Sequence, residues 1–101
     1  MQIEKSVKDT VFEARLKDRM TFSDHAPFRA LLEDITNAKA KKCVFDLSGL
    51  TSIDSAALGM FAIALDQGKK HGWTVALRSP QGQVRSLLEL AKFDKLLAIE
   101  G

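Results

Sequence analysis

With a single cysteine, Cys43, the chain cannot form an internal disulfide, and the placement of Cys43 inside an apolar run fits a buried thiol acting as a small hydrophobe. No apolar stretch reaches transmembrane length, and the first residues lack the apolar region of a signal peptide, so a cytoplasmic protein without membrane insertion is expected. Charge of one sign is also scarce. Fifteen Lys and Arg stand against 13 Asp and Glu for a net charge of +2, too weak a field to grip a phosphate backbone, which argues against nucleic acid as a partner. There are no repeats, linkers or low-complexity tracts. What remains, 46% hydrophobic and 28% charged residues in 101, is enough for one hydrophobic core under a solvated surface, and one domain spanning residues 1–101 is expected.

Hydrophobic periodicity divides the chain. Phe12, Ala14 and Leu16 alternate with Glu13, Arg15 and Lys17, the two-residue period of a half-buried strand, and Ile3 to Val7 reads as a weaker one. With a turn at Lys8, Asp9 and Thr10, residues 2–17 are predicted to form an antiparallel hairpin. From Asp24 the pattern becomes helical, with Phe28, Leu31, Leu32 and Ile35 in one stripe, Ser23 or Asp24 as candidate cap, and Pro27 in the first turn. Lys39, Lys41 and Lys42 suit the end of that helix and the turn beyond it.

Cys43 to Phe45 and Trp73 to Leu77 are continuous apolar runs, the mark of strands covered on both faces. Between them Ser55 to Lys70 reads as a helix closing at Gly72, with Leu58, Phe61, Ala62 and Leu65 toward the sheet. Ser79 and Pro80 are predicted as cap and first residue of a third helix bearing Val84, Leu87, Leu88 and Ala91, and Leu96 to Ile99 as the last strand. The order is that of an α/β fold: a mostly parallel central sheet of about five strands, an N-terminal antiparallel hairpin and about three helices.

The segment Asp46 to Phe61, DLSGLTSIDSAALGMF, carries the functional signal. Asp46, Ser48, Asp54 and Ser55 are placed by this reading at the end of a central strand or the start of the next helix, where open α/β sheets hold their sites. Ser55 or Asp54 is equally suited to cap that helix. Ala56 to Leu65 contains no charge, more apolar surface than a helix on a sheet needs, so Ala56, Ala57, Met60 and Ile63 are left to meet a neighbouring helix or a protein partner. Asp46 and Asp54 are also candidates for Mg²⁺, as in a receiver-type enzyme, but no nucleophile has a base beside it, and His25 and His71 fall at a helix start and a turn; no metal, cofactor or catalytic residue is assigned.

Phe45-Asp46-Leu47-Ser48-Gly49-Leu50, then Ile53-Asp54-Ser55 and Leu58-Gly59, resembles the signature of STAS domains, specifically of bacterial anti-sigma factor antagonists, and the element order matches a STAS-like fold over nearly the whole chain. Pro80, Gln83-Val84, Leu87-Leu88 and Phe93 resemble the third-helix region of the family. The resemblance implies a non-enzymatic partner switch. The unmodified form would bind a serine kinase that doubles as an anti-sigma factor, phosphorylation of Ser55 would release it, and a PP2C-type phosphatase would reset it. Asp46, Ser48, Asp54, Ser55, Ala56, Ala57 and Met60 would form the partner surface, on a monomer or weak dimer.

Two departures stand out. Ala56 and Ala57 occupy positions where the family commonly has a second hydroxyl residue and glycine, which leaves Ser55 as acceptor with Thr51 and Ser52 near, and the chain ends close behind the last strand, where many relatives carry a further helix over the sheet. An uncovered sheet face or a dimer contact is the expected result. The other role the family implies is a constitutive subunit of a transporter ATPase complex, with no phosphorylation cycle.

Overall fold

The computed structural model describes residues 1–101. The strands are β1 (Gln2–Lys8), β2 (Val11–Met20), β3 (Lys42–Ile53), β4 (Thr74–Arg78) and β5 (Ala98–Glu100), and the helices are α1 (His25–Asn37), α2 (Ser55–His71) and α3 (Gly82–Leu90). The expected architecture is the observed one: β1 and β2 are antiparallel, the remaining pairs parallel, and the spatial order β1-β2-β3-β4-β5 follows the chain. Each strand therefore pairs with the one before it.

Strand register sorts the side chains into two faces. Phe12 aligns with Cys43 and Val75, and Ala14 with Phe45 and Leu77, forming the inner face. All three helices pack there: Phe28, Leu31, Leu32 and Ile35 of α1, Ala57, Met60, Phe61 and Ala64 of α2, and Val84 and Leu88 of α3 share one cluster of 25 buried residues with the inner strand positions. Cys43 is part of this core, and burial pushes its thiol pKa well up, away from the reactive thiolate.

The second face differs from the expectation of strands covered on both sides. Val44 and Ala76 are buried, yet they lie outside the helix-covered cluster, and the neighbouring row carries one charged residue from every strand: Glu4, Arg15, Asp46, Arg78 and Glu100, alternating in sign across the sheet. Arg15 lies 3.7 Å from Glu4 and 3.6 Å from Asp46, Arg78 lies 3.0 Å from Asp46 and contacts Glu13, and Lys42 lies 3.2 Å from Glu100. The row solvates the face that no apolar stripe of this chain is available to cover.

Helix α2 is rotated from the predicted setting. Ala57, Met60, Phe61, Ala64 and Gly68 are buried, whereas Leu58 and Leu65 are half-buried and Ala62 is exposed. The cause is close approach. A methyl group built at Gly68 would lie 2.3 Å from the carbonyl oxygen of Trp73, so only glycine lets the last turn of α2 run against the start of β4. Gly72, at φ +81°, then ends the helix by donating to the Gly68 carbonyl at 2.8 Å. Gly68→Ala is expected to cost about 2 kcal/mol despite the better helix propensity of alanine, because backbone must move; a urea unfolding midpoint equal to wild type would refute the close approach.

Two other boundaries move. Ser79 does not cap α3: its φ is +54° and its N–H donates to the Glu100 carbonyl at 2.7 Å, so it prolongs the β4–β5 pairing and leaves Gln81 as the residue before the helix. The last strand starts at Ala98, after a 3₁₀ turn over Phe93–Lys95 that buries Phe93.

Candidate functional site

Strand β3 is longer than its apolar run. It pairs with β4 only as far as Asp46 and Arg78, then follows β2 alone, through register shifts, to Ile53 opposite Met20. Asp46 and Ser48 thus lie within the strand and not at its end, a correction to the sequence reading. Asp54 and Ser55 do stand where the strand gives way to α2.

Asp46 is 5% exposed and belongs to the charged row. Burial alone would raise its pKa, but the Ser48 N–H at 2.9 Å, the Ser48 hydroxyl and the Arg78 guanidinium outweigh that and hold the carboxyl at about 2. The Arg78 guanidinium, held first by Glu13 and then by Asp46, has its own pKa raised. Asp46 therefore holds the Ser48 backbone within β3 and anchors the sheet, with its oxygens already committed.

Asp54 settles which residue caps α2. One carboxylate oxygen, Oδ1, accepts from the Ala57 N–H at 3.0 Å, so Asp54 is the N-cap and Ser55 the first helical residue. Ser55 is exposed. The other oxygen, Oδ2, accepts from the Phe22 N–H at 3.1 Å, and the Asp54 N–H donates to the Met20 carbonyl at 3.3 Å. Asp54 thereby ties the end of β3 to the loop between β2 and α1. From the other side the Gln83 side chain clasps Ile53, accepting from its N–H at 3.0 Å and donating to its carbonyl at 2.9 Å. Ser55 is thus presented on a junction fastened on one side to the β2–α1 connection and on the other to the first turn of α3.

Of the residues expected on the docking surface, Ser48 and Ser55 are exposed and Ala56 is half-buried, but Ala57 at 0% and Met60 at 1% exposure belong to the core. Met60 turns inward because α2 is rotated toward α1, where Phe28, Leu32 and Ile63 line the same seam. The sequence reading did not place Phe22, Gln83 or Arg78 at the site, and named Gln83 only as part of the third-helix region. For Phe22 the available signal was a lone aromatic in a polar connection, with no partner in either neighbouring stripe.

The widest surface concavity, about 420 Å³, is an open groove between α1 and α2 lined by Arg29, Glu33, Asn37, Gln67 and His71 among others. It does not include Ser55. The junction that carries Ser55 is an exposed, hydrogen-bonded corner, a form suited to contact with another macromolecule.

The fold and this corner define a small α/β module with an exposed hydroxyl at the start of a helix beside the central strand. A family model described as "Mlab, STAS domain" matches residues 5–98, and the chain belongs to the STAS-domain family. A STAS-domain containing protein of Pseudomonas aeruginosa is 28% identical over 85 residues, covering 84% of this chain and 83% of that protein. Among solved structures, a Thermotoga maritima protein, TM1081, proposed to be an anti-sigma factor antagonist, superimposes with a TM-score of 0.87 at 25% identity over 98% of this chain and 86% of its own. The unphosphorylated anti-sigma factor antagonist SpoIIAA, at 14% identity, and a sulfate transporter family protein from Wolinella succinogenes, at 15%, share the fold with TM-scores of 0.72 and 0.80, covering 99% and 95% of this chain and 86% and 80% of theirs. No helix is long and apolar enough to cross a membrane.

Proposed function

We propose that this chain is a non-catalytic anti-sigma factor antagonist of a partner-switching pathway in the cytoplasm. Its unmodified form binds a serine kinase that is also an anti-sigma factor, phosphorylation of Ser55 releases it, and a PP2C-type phosphatase removes the phosphate. The observation that carries this reading is the division of labour at the start of α2: Asp54 caps the helix, so the exposed Ser55 hydroxyl is free of structural duty. The kinase moves the γ-phosphoryl group of ATP to Ser55 Oγ, releasing ADP and the hydroxyl proton.

The product carries a charge of about −1.5 to −2 next to the Asp54 carboxylate, and that charge repels and desolvates unfavourably inside a protein interface. The Ala57 N–H is already taken by Asp54, so the phosphate competes for the helix N-terminus or stays in solvent, and in either position it blocks close contact. Ser48, Asp54, Ser55 and Ala56 form the outer contact set, with Asp46, Ala57 and Met60 supporting it from beneath.

The test is intact-mass and phosphopeptide analysis of the chain from its native host beside Ser55→Ala. One phosphate on Ser55, absent from the variant, is the expected result. Because Asp54 is the cap, Ser55→Ala is expected to unfold within about 0.5 kcal/mol of wild type, and global unfolding of that variant would make Ser55 structural and end the switch reading. The same fold occurs in a sulfate transporter family protein, which keeps a constitutive transporter subunit as the second reading. Under that reading no phosphate is found and Ser55→Asp binds the partner as wild type does.

A further inference from the structure

Phenylalanine is normally buried, yet Phe22 is 70% exposed, with the His25 ring as its aromatic neighbour at 6.2 Å between centroids. A single exposed apolar residue is unremarkable in a mobile loop. Phe22 is on a backbone held from three directions. The Thr21 N–H donates to Asp24 Oδ2 at 2.8 Å, the Asp24 N–H returns to the Thr21 carbonyl at 2.9 Å, and the Phe22 N–H donates to Asp54 Oδ2 at 3.1 Å. Thr21 and Ser23 join their hydroxyls at 2.9 Å as well. The chain therefore fixes the backbone that holds the ring in water, at no gain to its own core. Leu90 and Leu96, exposed to 79% and 57%, flank the far end of α3 and have no such tether to the Ser55 corner.

We infer that Phe22 is the aromatic anchor by which the unmodified chain docks on the kinase that modifies Ser55. The inference rests on the switch reading above and deepens it. Its occupant is indicated by that tether: the residue before Ser55 accepts from the amide of Phe22, so the segment that carries the exposed ring is fastened to the neighbour of the phosphoacceptor, where a kinase bound over Ser55 has it at hand. The kinase surface beside that cleft accordingly holds an apolar pocket sized for a phenyl ring. Rigid aromatic side chains that enter such pockets dominate interfaces, because little entropy is lost in placing them. Asp54 links the two parts of the contact. Its carboxylate holds Phe22 with one oxygen and α2 with the other, so a phosphate on Ser55 that displaces or repels Asp54 loosens the anchor in the same step.

The experiment uses the serine kinase activity purified from the native host by its transfer of phosphate from ATP onto Ser55 of the full chain. Steady-state kinetics are compared for wild type, Phe22→Ala, Phe22→Trp and Leu90→Ala, with thermal midpoints measured for each. Phe22→Ala is expected to raise KM at least about tenfold with kcat within about twofold, Phe22→Trp to stay near wild type, and Leu90→Ala to change neither constant. A KM for Phe22→Ala within about twofold of wild type, at an unchanged thermal midpoint, overturns the anchor and leaves the Ser55 switch standing. If Phe22→Ala is unstable, the anchor stands or falls on Phe22→Glu, which keeps the backbone tether and must show the same KM defect. Absence of any activity that phosphorylates wild-type Ser55 overturns the switch reading and the anchor together.

Discussion

Phe45→Ala is expected to lose roughly 3–5 kcal/mol of stability, at the upper end of what a single truncation costs. Phe45 is completely buried in β3, stacked on Phe28 of α1 at 5.6 Å and edge-on to Phe61 of α2 at 5.9 Å, while Phe28 and Phe61 meet at 5.8 Å. The three rings are the point at which one strand and two helices lock, and each pair adds to the area it buries. No backbone movement of one element fills the resulting void without disturbing the other two. Domains of this size are stable by only about 5–15 kcal/mol, so the thermal midpoint is expected to fall by roughly 15–30 °C. Calorimetry checks this, and a fall of less than about 5 °C would mean that the ring cluster does not hold the layers together.

The second large effect is acid sensitivity through Asp46. Its carboxyl ionises at about 2 in the folded chain against an ordinary value of 3.8. A depressed folded-state pKa stabilises the native form above the unfolded value, and that stabilisation is lost as the pH falls through about 4 toward 2. It corresponds to about 2 kcal/mol. Asp46→Asn is expected to cost a similar amount at neutral pH, since Arg78 then keeps only Glu13, and to flatten the dependence between pH 4 and 2. Urea unfolding of both chains across that range decides the matter. An equally steep loss in Asp46→Asn would place the acid-sensitive group elsewhere.

The layered fold was legible because its signals are local. The stripe of Phe28, Leu31, Leu32 and Ile35 and the alternation of Phe12, Ala14 and Leu16 each need only one element to be read, and all of these residues are buried as expected. The rotation of α2 was not legible, because Ala56 to Leu65 carries no charge and supports more than one buried stripe. The choice is made by Gly68 against Trp73, a contact with the strand that follows. Likewise, Ser48, Gly49, Thr51 and Ser52 hide the second half of β3, whose hydrogen bonds go to β2 alone.

At the site, the position of Ser55 was readable from the motif, but its freedom from capping was not, since Asp54 and Ser55 are chemically equivalent caps until backbone angles choose between them. Asp46 was read as a site residue from its place in the motif. Its role as an ion-pair anchor depends on the register that sets Arg15 and Arg78 beside it. Phe22 escaped notice because nothing within its own segment says that a carboxylate 32 residues away will hold it.

The sequential strand order has a kinetic consequence. Parallel sheets are slow to form when a strand must wait for a partner far along the chain, since the closure entropy comes before the contacts that offset it. Here every new strand meets an edge left by the strand before it, across one helix at most. Assembly can then proceed as a zipper from the β1–β2 hairpin, in the order in which a ribosome delivers the chain. The Phe22–Asp54 side of the Ser55 corner can close once β3 lies on β2, whereas its Gln83 clasp waits for α3, which follows β4 in the chain.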